Sequence, residues 1–138
     1  MKLRVKDYRR AMVVLVGGFH LVIGSAQVLS APSRSTGGGF AWLPTHLDAD
    51  ELGWLWIVAG LTMLGCAWRW KGWADRLAFS IGTPVPTAWA LIFLVSWAFY
   101  DNPTGLRSAL IYAMPAGMLL LLAAWPNPVE IESDDADD

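Results

Sequence analysis

Residues Leu52 to Trp68 are seventeen consecutive positions without a charged side chain. That run restricts what the chain can fold into more than any other feature. As a helix it rises about 25 Å, close to the lower limit for crossing a hydrocarbon core of roughly 30 Å. Acids precede it at Asp48, Asp50 and Glu51, and bases follow at Arg69, Lys71 and Arg76. Trp54 and Trp56 stand at its start and Trp68, Trp70 and Trp73 at its end, while Trp125 closes a later apolar run. A tryptophan ring with its polar N–H suits the headgroup level, so these six are the expected interface anchors.

The remainder follows the same pattern. Only 16% of the 138 residues are charged, against about a quarter in a soluble domain. The charges gather at Lys2–Arg10, at Glu130–Asp138 and in short clusters between. Four apolar stretches remain, at about 11–29, 52–68, 86–100 and 106–125. The expectation is an all-α polytopic membrane protein, with four transmembrane helices in a left-handed bundle over 1–129. The tail at 130–138 holds six acids and no base, the composition of a solvated, disordered segment.

Orientation follows from the basic residues. Lys2, Arg4, Lys6, Arg9 and Arg10 precede the first span, and Arg69, Lys71 and Arg76 follow the second. Only Arg34 and Arg107 fall on the opposite side. Positively charged flanks stay in the cytoplasm, so both termini are expected inside, in the cytoplasmic (inner) membrane. Basic residues that flank spans form no stripe for nucleic acid, and none is expected as a partner. Gly24-Ser25-Ala26 also resembles a signal-peptide cleavage site, but the apolar run continues through Val28 and Leu29, which favours a retained span.

Within the first span, Gly17, His20, Gly24 and Gln27 recur at helical spacing on one face. Polar groups in hydrocarbon are costly, so this face should turn toward other helices or a water-filled cavity. His20 and Gln27 are its polar members. His20 would then either line a cavity or make one hydrogen bond across helices. The second is favoured, because no acid lies within any span to partner it.

The connections read as loops. Residues 31–51 carry Pro32, three glycines at 37–39, Pro44 and His46, a composition for irregular structure. His46, Asp48 and Asp50 match no specific metal spacing, and no metal or cofactor is expected. Ala74–Ile81 reads as a short interfacial helix that Gly82-Thr83-Pro84-Val85-Pro86 breaks before a short third span. Trp89, Phe93 and Trp97 form an aromatic stripe along that span, for packing or lipid contact. Asp101–Gly105 has the composition of a tight turn, and Pro115 predicts a kink in the fourth span.

Small residues recur at sevens: Ala11, Gly18 and Ser25; Gly53, Gly60 and Ala67; Ala109, Ala116 and Ala123. Such spacing keeps a seam facing one partner, and small side chains let backbones approach. Gly17, Gly24, Gly53, Gly60, Ala67, Ala116 and Gly117 are the expected helix-packing positions. Ala59, Gly60, Leu64, Ala67 and Trp68 also match Ala116, Gly117, Leu121, Ala124 and Trp125 at one constant offset, as a two-plus-two duplication would leave them.

No catalytic constellation is present in the sequence. Cys66 is the single cysteine, which excludes paired-cysteine redox chemistry, and no glycine-rich phosphate loop ends in a lysine. A short chain with several spans, a basic start and a charged tail resembles holins and other small membrane proteins of bacteriophage lysis cassettes. Separately, the Arg-led, glycine-spaced span at Tyr8–Leu29 and the acid-preceded, glycine-spaced span at Glu51–Arg69 resemble the small four-helix DoxX-type membrane proteins. The first resemblance implies a non-enzymatic homo-oligomer that permeabilises a lipid bilayer. The alternative is an accessory or exclusion protein that binds another membrane protein.

Overall fold

The computed structural model describes residues 5–29, 49–69 and 72–124, all but a few of them helical. Five helices follow in chain order: α1 (Val5–Leu29), α2 (Ala49–Trp68), α3 (Gly72–Gly82), α4 (Pro84–Phe99) and α5 (Gly105–Ala124). The most extensive pairings are α1 with α2 and α4 with α5, and α3 ties the two pairs together through contacts to all four other helices.

Glycine sets the first pairing. A Cβ placed on Gly60 would lie 2.8 Å from the Gly17 carbonyl oxygen, and one on Gly24 would lie 2.8 Å from the Gly53 carbonyl oxygen. Gly17 therefore faces Gly60 and Gly24 faces Gly53, in an antiparallel, seven-residue register. At Gly24 and Gly60 a side chain would force the backbones apart, and at Gly17 and Gly53 it would be tight. Of the expected seams, Gly53, Gly60 and Ala67 are buried, as are Ala109 and Ala116. On α1 the seam is displaced by one residue from Ala11, Gly18 and Ser25: Ala11 is exposed, and a Cβ on Gly18 would meet nothing within 4 Å. One residue turns a helix by about 100°, so a one-position shift selects a different face. The chosen face carries His20, whose polar ring is thereby removed from the exterior. Ala123 is exposed, and Gly117, like Gly18, has open space at its Cβ.

One helix ends at Gly82 and the next begins at Pro84, within the segment the sequence suggested, but the chain keeps its helical course between them. Thr83 is in right-handed helical conformation (φ −78°, ψ −44°). Its N–H donates to Phe79 O at 3.2 Å, and the Thr87 N–H donates to Thr83 O at 3.2 Å, so the helical path passes through the junction. Pro84 is the first residue of α4, where its missing N–H costs least. The expected interfacial helix at Ala74–Ile81 and the short span from residue 86 are parts of one stretch, Gly72–Phe99, 28 residues long.

The α4–α5 turn is tied by Asn102. Its Nδ2 donates to Ser96 Oγ at 3.1 Å, and its Oδ1 accepts from Thr104 N–H at 3.1 Å. Asp101 takes φ 51°, a left-handed conformation that aspartate tolerates better than most residues. Gly105 packs so close to α4 that a Cβ there would lie 2.7 Å from Phe93 O.

Three stretches, Tyr8–Leu29, Gly72–Phe99 and Gly105–Ala124, are long and apolar enough to cross a membrane, whereas Leu52–Trp68 is shorter. Val14, Leu15, Val22, Val58, Leu61, Leu110 and Leu121 point outward from the bundle. A helical protein with such lengths and such an exterior is suited to a membrane. Arg34, His46 and the tail at 130–138 lie outside the described residues.

The glycine pairing makes a direct prediction. Gly24→Leu should lower the midpoint of unfolding in a dodecyl-sulfate titration by the equivalent of about 1–3 kcal/mol, the usual cost of overpacking. Gly18→Leu should leave it unchanged.

Candidate functional site

The polar face of α1 converges on one place. Gly17, His20 and Gly24 are buried and Gln27 is half-buried, all toward α2. His20 is fully buried. Its Nδ1 lies 2.8 Å from Val16 O, and its Nε2 lies 3.1 Å from Gly82 O. Both ring nitrogens face carbonyl oxygens, and a neutral imidazole carries a single N–H, so it donates to one of the two at a time.

The choice of Gly82 has a physical cause. In a helix the Gly82 carbonyl would accept from the N–H four residues on, but that residue is Pro86, which has none. In the tautomer with its hydrogen on Nε2, His20 supplies the donor that the proline withholds. Gly82 also admits its neighbours: a Cβ there would lie 2.6 Å from the Met63 sulfur. The interhelical bond and the proline junction are thus one feature, and it joins α1 to α3 across the bundle.

An aromatic cluster encloses the histidine. Trp56 lies 4.7 Å from His20 between ring centres and meets Trp89 edge-on at 5.5 Å. Tyr112 lies 5.6 Å from Trp56 and stacks on Phe93 at 5.5 Å. Phe19 closes the side of α1, 6.0 Å from Trp56. Trp56 is fully buried, so it is not an interface anchor. Positions two apart on a helix point about 200° apart, so Trp54 and Trp56 face opposite sides. Trp54 faces outward, as do Trp68 and Trp73, while Trp70 and Trp125 lie outside the described residues. Of the aromatic stripe, Trp89 is core, Phe93 is half-buried and Trp97 is exposed.

A second polar contact lies at the other end of α3. An Arg9 guanidinium nitrogen donates to Asp75 Oδ2 at 2.9 Å, with both side chains largely buried. The guanidinium carbon sits 5.2 Å from the centre of the Phe79 ring, a cation–π contact. Asp75 is in the first turn of α3, where an acid also favours the helix dipole. The pair brings the basic segment of α1 and the 69–76 segment to the same end of the bundle. The sequence reading placed an interfacial helix over Ala74–Ile81 but gave Asp75 within it no partner, and so missed this pair. The available signal was the line of small and apolar residues Ala74, Ala78, Phe79 and Gly82 at helical spacing beside it, which the structure buries.

Between the two polar contacts lies an aliphatic layer that includes Val13, Val16, Met63, Ala67, Ala78 and Leu119. Cys66 belongs to it as a buried free thiol. Among the described residues, no group of three His, Cys, Asp or Glu side chains is placed to hold a metal ion. The arrangement can hold helices in register, with His20 placed between α1 and α3. Comparison with protein-family models, curated proteins and solved structures finds no match to this chain. The functional reading therefore rests on geometry.

If His20 replaces the donor lost at Pro86, then His20→Leu should destabilise the bundle by about 1 kcal/mol, the scale of an interhelical hydrogen bond in lipid. Pro86→Ala restores a backbone N–H that can reach Gly82 O. The double variant His20→Leu/Pro86→Ala should recover most of the loss, and a double-mutant cycle of unfolding free energies reads the coupling.

Proposed function

We propose that this chain is a non-enzymatic integral membrane protein that works by docking onto another membrane protein. It would cross the cytoplasmic membrane four times with both termini inside. The Arg9–Asp75 pair supports that orientation, because it gathers the bases of α1 and of residues 69–76 at one end. Arg107 sits in the first turn of α5, after the α4–α5 turn at the other end. The α2 run of seventeen apolar residues would span by drawing on its interfacial tryptophans and a locally thinner bilayer.

One observation carries the functional choice: the burial of His20 and its glycine-lined face against α2 and α3. A holin-like pore needs a wettable face toward a lumen. Here that face is consumed inside one chain, and the groups left outside α1 within the span include Val14, Leu15 and Val22. Self-association remains served by Ala11, Gly18 and Ser25, a small-residue line on α1 outside the glycine contact to α2. An oligomer packed through that line would keep His20 dry. The permeabilising role would require α1 and α2 to separate, against their close glycine-to-backbone packing.

Induced expression in bacteria, with membrane potential and co-purifying proteins measured together, separates the two readings. The docking role predicts sustained expression without depolarisation and one stoichiometric membrane partner after mild detergent extraction. Abrupt depolarisation with only self-oligomers recovered would overturn it in favour of the holin-like role.

A further inference from the structure

A groove of about 430 Å³ opens between the end of α2 and the start of α3, lined in part by Thr62, Gly65, Trp68, Arg69, Trp73 and Leu77. Its upper part is apolar. A Cβ on Gly65 would meet nothing within 4 Å, and the Thr62 hydroxyl is already spent on Val58 O at 2.8 Å. Its lower end is basic and aromatic. Arg69 is exposed, and Asp75, the nearest acid in sequence, is engaged with Arg9. Trp68 and Trp73 are 84% and 62% exposed on either side of it.

We propose that this groove holds one anionic phospholipid of the surrounding bilayer, its phosphate on Arg69 and an acyl chain lying along Gly65. The proposal rests on the membrane reading given above. Charge selects the headgroup, because a guanidinium matches a phosphate with two parallel N–H donors. The two indoles mark the depth at which headgroups sit. Above them, Gly65 has no side chain and nothing within 4 Å of where a Cβ would stand, which leaves room for a hydrocarbon chain. A free anion would use Arg69 alone and be indifferent to Gly65, so the two residues together specify a lipid.

The test is native mass spectrometry of the full chain, extracted in mild detergent and exchanged into an equal mixture of phosphatidylglycerol and phosphatidylcholine. One phosphatidylglycerol should stay bound with a roughly fivefold preference, the scale of one basic residue acting on an anionic lipid. Arg69→Gln should remove the preference, while Arg107→Gln, at the other end of the bundle, should leave it intact. Gly65→Leu should reduce retention of both lipids; leucine is a good helix former and the site has room for it, so folding is preserved. Equal retention of the two lipids by the unmodified chain would overturn the proposal. So would Arg69→Gln and Arg107→Gln behaving alike, or Gly65→Leu binding as before. A lipid-free dimer abolished by Gly65→Leu would assign the groove to a second copy and also overturn it. A chain that stays dispersed in buffer without detergent would instead remove the membrane reading itself.

Discussion

The bundle depends on two backbones touching. Gly17 against Gly60 and Gly24 against Gly53 bring α1 and α2 to a separation that any side chain would widen. In water such a contact would be a minor gain beside burial of apolar area. In lipid the surrounding tails are as apolar as leucine, so burial alone gives helices little reason to associate. Close packing, dispersion and the weak polar contacts it permits then decide which faces meet. The glycine register fixes the rotation of α1, and that rotation delivers His20 to the interior. A different rotation would leave its imidazole in hydrocarbon, at a cost of several kcal/mol for each unpaired polar group.

The histidine answers a problem that the prolines create. Pro84 and Pro86 near the middle of a 28-residue stretch remove two donors where no water is available to replace them. Pro84 is accommodated as the first residue of its helix. Pro86 is accommodated because Gly82 O finds a donor on a different helix, 62 residues away in sequence. Thr87 contributes locally, its hydroxyl donating to Thr83 O at 2.8 Å beside its own N–H. The junction keeps its helical course while three elements are locked to one another. The same bond makes α1 and α3 neighbours, and the Arg9–Asp75 pair repeats that pairing toward the start of both helices.

These couplings mark where sequence reading stops. Helices and their approximate ends were legible, because charge-free runs bounded by acids, bases and prolines leave little choice in lipid. The grouping of Gly17, His20 and Gly24 on one face was legible from spacing alone. Which of two adjacent glycines, Gly17 or Gly18, makes the contact was not, since both belong to repeats of seven and only the partner helix distinguishes them. Trp54 and Trp56 pose the same difficulty: both stand near a span end, and facing decides between lipid and core. Asp75 was hidden for a different reason. Its pairing needs α1 and α3 to be adjacent, and adjacency follows from a bond between His20 and a main-chain carbonyl, a group that every residue carries and that leaves no mark in sequence.

The distribution of chemistry between inside and outside sets what such a molecule can offer a partner. Among the described residues, several polar groups at membrane depth are committed internally: His20 lies between two carbonyls, Thr87 bonds Thr83, and Asn102 bonds Ser96. The exterior of the spans presents leucine, valine and methionine, with open small positions at Gly18, Gly65 and Gly117. Recognition through such a surface depends chiefly on shape, because among the described residues the outward-facing side chains of the helices are mostly apolar. Small residues are then the informative features of the exterior, since each is a recess that a side chain, a helix or a lipid chain can enter. At the ends of the bundle charge returns as a selector, and Arg69 between two exposed tryptophans is where recess and charge coincide.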